Sequence, residues 1–334
     1  MKAWKTDVAV LLTFFVRDDT FEKVFESVRK ARPRVLLLWQ DGPRENRPDD
    51  IEGIEKCRKI AENIDWECEV HKNYHEKNMG CDPSTFLSQK WAFSIVDKCI
   101  IMEDDRIPCD SFYDYCKELL DKYENDTRIN HICGTNLLGD NVSCDSDYFF
   151  APFGSTTWAS WRRVAEEWDE QYTFLENNDY NLNCLKNVIG KDKFNAVYNT
   201  ALKHKKTGKQ YWETILGMNC LLNNRLAIIP KKNMICDIGL TENSTHATSD
   251  KKLLNKVHLA MFNMATNDVT FPLKHPKFVL PDHNYVEELN KISGIGHPFI
   301  KFKRDVQYLF KCIFSGNFAR IFVALKRKIT RSVK

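Results

Sequence analysis

The sequence predicts an α/β fold in which a sheet is flanked by helices on both faces. Two observations carry that expectation. Strand and helix signals alternate over the first 110 residues, the pattern of βαβ units and parallel pairing. The strand segments are continuous apolar runs, as expected of strands covered on both sides. A third observation concerns chemistry: the predicted strands end in charged residues, and open α/β sheets bind ligands at the carboxyl ends of their strands.

"VAVLLTFFV" (8–16) reads as the first buried strand and is followed by Arg17-Asp18-Asp19. "TFEKVFESVRKA" places Phe21, Val24, Phe25 and Val28 at helical spacing. "RVLLLWQDG" is a second buried strand ending in a turn at Asp41-Gly42-Pro43. "IEGIEKCRKIAENI" is a second helix, and "WECEVHKN" is a third, more exposed strand. "STFLSQKWAFSIV" is a helix expected to be capped by Asp82 or Ser84. "KCIIMEDD" is the fourth strand, ending in three adjacent acids, Glu103, Asp104 and Asp105. The second half is less regular. Pro272, Pro276 and Pro281 suggest an extended connector over 266–296, between a main α/β domain at 1–265 and a helical tail at 297–334.

At 334 residues, with 43% hydrophobic and 28% charged residues, the chain can build a full-sized soluble core. The net charge is +3, but ten Lys and Arg against one acid give residues 297–334 about +9, so the body is near −6. Twelve cysteines, without a CxxC pair or zinc-like Cys/His spacing, suit a reducing compartment better than a disulfide framework. The N-terminal apolar run is too short to span a membrane and carries no small-residue cleavage site, so a cytoplasmic protein is expected. The sequons at Asn125, Asn141 and Asn243 carry little weight in that setting.

Three neighbouring carboxylates at a strand end suit a divalent cation, because Mg²⁺ and Mn²⁺ take hard oxygen ligands. The competing reading is a solvated loop whose acids favour the start of the next helix. The order of motifs over residues 6–250 resembles the GT-A glycosyltransferases, specifically the N-acetylglucosaminyltransferase I-like group and its bacterial relatives. The resemblance rests on "FFVRDD", "LLLWQDGPR", "IIMEDDRIPCDSFYDY", "APFGSTTWASWRR", "YWETILGMNCLLNNRLAIIPKKNMICDIGL" and "STHA". It implies a GT-A mixed sheet in which EDD is a form of the DxD motif. Asp105 would then be the metal ligand, Asp104 would contact the ribose and Glu103 would face the donor sugar. Arg17 would meet the nucleotide or its phosphates, and Asp41 the uracil ring. The implied donor is a nucleoside-diphosphate sugar, UDP-GlcNAc being favoured, with Mn²⁺ or Mg²⁺ on its diphosphate.

An inverting transferase needs a carboxylate base for the acceptor hydroxyl. Glu213 in "KQYWETILG" is the candidate, with Trp212 before it to stack on a sugar; Asp179 and Glu176 are weaker ones. Where the group often has Asp after Trp, this chain has Glu; the plainer reading is a first-turn helix acid. His246 in "ENSTHAT" is read as completing the metal shell or donating to the diphosphate, against an ordinary surface histidine. Trp158 and Trp161 are either pocket or core. In the tail, apolar stripes at 306–314 and 318–329 alternate with basic residues, which suggests peripheral attachment to the inner membrane face; docking on the body is the competing reading. No nucleic-acid module accompanies these charges. The expected function is transfer of a sugar to a glycan or lipid-linked acceptor. The alternatives are a nucleotidyltransferase, disfavoured by the lack of glycine after the first strand, and an inactive nucleotide-sugar-binding scaffold.

Overall fold

In a computed structural model that describes residues 1–140, 142–154, 157–176, 179–240 and 259–314, the apolar runs become strands of one eight-stranded sheet. Its order is β3-β2-β1-β4-β8-β6-β9-β7. β1 (Ala9–Phe14), β2 (Val35–Gln40), β3 (Glu69–Tyr74) and β4 (Lys98–Glu103) form a parallel block. β8 (Trp158–Trp161) then runs antiparallel between β4 and β6 (Ile129–Cys133). β9 (Leu226–Pro230) pairs parallel with β6, and β7 (Tyr148–Ala151) closes the far edge antiparallel. The sheet is therefore mixed, and its antiparallel strands come from the half of the sequence with the weakest periodicity.

Side chains alternate across a strand, so each central strand feeds two cores. Val10, Leu12 and Phe14 of β1 face one cluster, with Phe21, Val24 and Phe25 of α1 (Asp18–Ala31) and Leu119 of α4 (Phe112–Lys122). Ala9 and Leu11 face the other, with Phe86 of α3 (Cys81–Ile95) and Leu216 of α8 (Trp212–Leu222). β3, at the edge, has no fully buried residue, matching its polar composition.

Two local expectations are corrected. α3 begins at Cys81, with Gly80 at φ 87 as the residue before it, rather than being capped by Asp82 or Ser84. The Ser84 hydroxyl accepts instead from the Trp39 indole N–H at 2.9 Å. The stretch 266–296 is not extended throughout, because His283–Ser293 forms α9. Asp282 caps it by accepting from the Tyr285 N–H at 3.0 Å. Tyr285 packs on Phe149 of β7 at a ring separation of 4.8 Å. The prolines precede an Asp cap followed by Tyr285 and Leu289 one turn apart, both packed into a third apolar cluster. The segment before α9 is strapped to the body: Leu273 N donates to Glu118 and Lys274 N to Asp147. α10 (Pro298–Phe314) carries the first apolar stripe of the tail; the second lies outside the described residues. Among the described residues no helix is long and apolar enough to cross a membrane.

One core residue makes stability depend on pH. His131 in β6 is fully buried; its Nε2–H donates to the Gly154 carbonyl at 2.6 Å, and its Nδ1 faces the Asn130 amide at 3.0 Å. Burial pushes its pKa down to about 4. With the folded value below the unfolded one, the unfolded chain binds the extra proton first. The contribution is therefore complete above pH 6.5 and is lost as pH falls toward about 4. Urea unfolding at pH 7.5 and 4.5 should show about 2–3 kcal/mol less loss on acidification in His131→Gln than in the wild type.

Candidate active site at the strand ends

β1 and β4 are neighbours, with Thr13 opposite Glu103, so their carboxyl ends open on the same side. The corner after β1 is short: Phe15, Val16 and Arg17 lead directly into α1. It is pressed against α2 (Asp49–Ala61), where a Cβ on Gly53 would lie 2.7 Å from the Val16 carbonyl oxygen. Arg17 is thereby aimed at the acids that follow β4. Its Nη2 pairs with Asp104 and lies 3.0 Å from Asp105 Oδ2. Asp104 also accepts from the Phe15 N–H at 3.2 Å.

A second, two-stranded sheet holds the turn after β4. β5 (Arg106–Pro108) pairs antiparallel with β10 (Ile235–Asp237), setting Arg106 opposite Asp237. Arg106 Nη1 lies 2.5 Å from Asp237 Oδ2, and its Nε lies 3.3 Å from Asp105 Oδ1 and 3.6 Å from Glu103 Oε2. Ile238 N donates to the Asp105 carbonyl at 2.9 Å, and Gly239 N to Asp237 Oδ1 at 2.8 Å. Four carboxylates thus share two guanidinium groups.

The acids respond as a crowded, poorly solvated cluster. Burial raises Glu103 first; Arg106 opposes the shift, and Asp105, Glu213 and Asp104 add to it. Burial likewise raises Asp104, against the pull of Arg17, and Asp237, against the pull of Arg106. Glu213 sits exposed in the first turn of α8, yet its charge acts on Glu103. Residues 110 positions apart in sequence are therefore electrostatically linked.

Gly239 is a structural requirement of this cluster. A Cβ there would fall 2.2 Å from Asp105 Oδ2 and 3.1 Å from Asp237 Oδ1. Gly239→Ala should therefore shift Asp105 and lower stability by about 1–3 kcal/mol, as overpacking generally does. The control is Gly217→Ala in α8, where the added methyl meets only the Phe153 ring, at 3.5 Å. Differential scanning calorimetry should find the control at or above the wild-type melting temperature.

The remaining predicted residues fall into place differently. Asp41, at the end of β2, is buried and accepts from the backbone N–H groups of Gly42 and Met79, both at 2.9 Å, and Gly80 at 3.2 Å. The Asn78 side-chain amide donates to it as well, at 3.1 Å. Its carboxylate therefore clamps the approach to α3, and a Cβ on the adjacent Gly42 would lie 2.4 Å from Lys77 N. Trp212, expected as a sugar platform, is buried and stacked on Trp158 at 6.1 Å and 11°. Its place with Ile215 and Leu216 on one face of α8 accounts for that. Glu176 pairs with Lys205. His246 lies outside the described residues. Sequence reasoning passed over Arg106, Asp237 and Gly239; the Arg directly after the acids and the Asp-Ile-Gly of "ICDIGL" were the available signals.

Among the described residues no group of three or more His, Cys, Asp or Glu side chains is set to hold a metal ion. The cluster still suits an ion brought in by substrate. Asp105 Oδ1 is buried and lacks a hydrogen-bond partner, and Mg²⁺ commonly takes one or two carboxylates, with waters and phosphate oxygens completing its shell.

No protein-family model matches the chain, and no curated protein matches it. Among solved structures it is similar to the 4-diphosphocytidyl-2C-methyl-D-erythritol synthase of Anaerococcus prevotii DSM 20548, at 11% identity and TM-score 0.29, over 47% of this chain and 73% of that one. It is also similar to a UDP-glucose pyrophosphorylase complexed with UDP-glucose, at 11% identity and TM-score 0.24, over 48% of this chain and 71% of that one.

Proposed function

We propose that the chain is a metal-assisted, inverting glycosyltransferase that moves a sugar from a nucleoside diphosphate, UDP-GlcNAc being the favoured donor, to a glycan or lipid-linked acceptor. The observation that carries this reading is the meeting of two kinds of carboxylate. A paired group (Asp104, buried, and Asp105, half-buried) follows β4, and a separate exposed one (Glu213), in the first turn of α8, adds its charge at Glu103. The first kind suits a cation–diphosphate, the second a proton acceptor.

In this mechanism Arg17 and the Phe15 N–H fix Asp104, while Arg106 and Gly239 hold the turn that presents Asp105. Asp105 would hold Mn²⁺ or Mg²⁺, whose chemistry is to neutralise charge on the leaving diphosphate. Asp41 keeps the β2 turn and the 78–80 segment rigid beside the nucleotide. Glu213 takes the proton of the acceptor hydroxyl as the sugar is displaced in one step. Nucleotidyl transfer fits less well. Such enzymes need room and donors for a triphosphate after the first strand, and here that corner has three residues and no glycine.

A thermal-shift screen of nucleoside diphosphates and their sugars, with and without Mn²⁺, tests the reading. Stabilisation by one diphosphate nucleotide that needs the metal supports it. A shift only with triphosphates would favour nucleotidyl transfer, and no metal-dependent shift would reject both.

The reading includes attachment of α10 to an anionic membrane surface. Phe299, Phe302, Phe310 and Phe314 are exposed on this helix, and Lys301, Lys303 and Arg304 lie among them. Exposed aromatic side chains interleaved with cations suit an interfacial helix. Co-sedimentation with phosphatidylglycerol vesicles, weakened at about 1 M salt and lost in Phe302→Glu/Phe310→Glu, is the expected result. Equal pelleting of the double variant would reject it.

A further inference from the structure

We infer that His204 is a positioning residue for Glu213, seating the first turn of α8 so that its carboxylate faces the strand-end acids; this rests on the proposed role of Glu213 as base. His204 lies near the end of α7 (Lys191–Thr207), which packs beside α8. Its ring is stacked on Tyr211 at 3.6 Å between centroids and 15° between planes. Its Nδ1 lies 2.9 Å from Thr214 Oγ1. Tyr211 immediately precedes α8 and Thr214 directly follows Glu213, so one imidazole grips both residues that flank Trp212-Glu213. The other side of the turn is fixed too, with Trp212 on Trp158 and the Tyr211 N–H donating to the Tyr172 hydroxyl at 3.2 Å.

Glu213 is exposed in the first turn of α8, so the placement of the backbone beneath it helps to set where its carboxylate lies. A purely apolar residue at 204 would supply the stack but not the tether to Thr214. The two together fix both the tilt and the rotation of the turn. Loss of either loosens the turn that carries the carboxylate, and displacements near 1 Å at a reacting group cost up to about 100-fold in rate.

The test is a double-mutant cycle on hydrolysis of UDP-sugars and GDP-sugars with Mn²⁺, water serving as acceptor. His204→Ala and Thr214→Val should each lower kcat about 10-fold, with donor KM and melting temperature close to wild type. His204→Asn, whose amide reaches the position of Nδ1, should recover part of the rate. Combined with Glu213→Gln, His204→Ala should lower the rate no further, since it acts through a carboxylate already removed. An equal loss in both backgrounds, or a rise in KM without a fall in kcat, overturns the inference. A wild-type rate in His204→Ala beside an impaired Glu213→Gln removes the clamp alone. A wild-type rate in Glu213→Gln, or no hydrolysis of any donor, removes the base reading and the clamp with it.

Discussion

Asp105→Ala should abolish metal-dependent stabilisation by nucleotide while leaving the melting temperature of the unliganded protein close to wild type. The two halves of that result come from the same contacts. Asp105 is one of four carboxylates around two guanidinium groups, and its charge adds to the repulsion acting on Glu103 and Asp104. After its removal Arg17 still has Asp104 and Arg106 still has Asp237, so neither guanidinium is left buried without a partner. The usual penalty for breaking a buried ion pair, about 3–5 kcal/mol, is therefore avoided. What disappears is the carboxylate proposed to hold the cation, whose buried Oδ1 lacks a hydrogen bond and lies 3.3 Å from Arg106 Nε. Ligand stabilisation follows RT ln(1 + [L]/Kd), so a wild-type shift at about 100 times Kd represents about 2.7 kcal/mol, all of which should vanish. Turnover should fall by at least about 10³, in line with about 4 kcal/mol of lost charge stabilisation. A nucleotide shift that persists in Asp105→Ala and still requires Mn²⁺ would move the ion to other ligands.

How far the sequence could be read depended on whether a residue's environment is local. β1, β2 and β4 announced themselves because burial on both faces leaves a continuous apolar run, and their order put Arg17, Asp41 and the 103–105 acids at strand ends. α9 was lost to the prolines before it, although its cap is a one-turn signal. The partners of the acids were harder. Asp237 reaches the site only because β10 pairs with β5 across more than a hundred residues, and no periodicity reports such a pairing. Gly239 sits where a side chain from the turn after β4, that of Asp105, fills the space its Cβ would take. Trp212 shows the converse: an aromatic beside an acid resembles a sugar platform in one dimension, and only Trp158 across the core reveals where its ring goes.

Glu213→Gln should lower kcat by about 10²–10⁴, the usual worth of a positioned base, with donor KM nearly unchanged. Glutamine keeps the shape of the side chain and cannot take a proton, so a selective loss in kcat identifies proton transfer rather than binding. The same substitution has an electrostatic consequence that does not depend on turnover. Glu213 is one of the like charges that raise Glu103 above the ordinary carboxylate range, so removing it should move the Glu103 titration downward. NMR titration of a ¹³C-labelled Glu103 carboxyl would read that shift directly. A fall in kcat together with a lowered Glu103 titration places Glu213 both in the chemistry and against the strand-end acids. A lowered titration with unchanged kcat keeps the geometry and assigns the proton elsewhere. Glu176 is a poor substitute for that role, since Lys205 already pairs with its carboxylate, which leaves Asp179 at the start of α6 (Asp179–Ile189) as the next residue to replace.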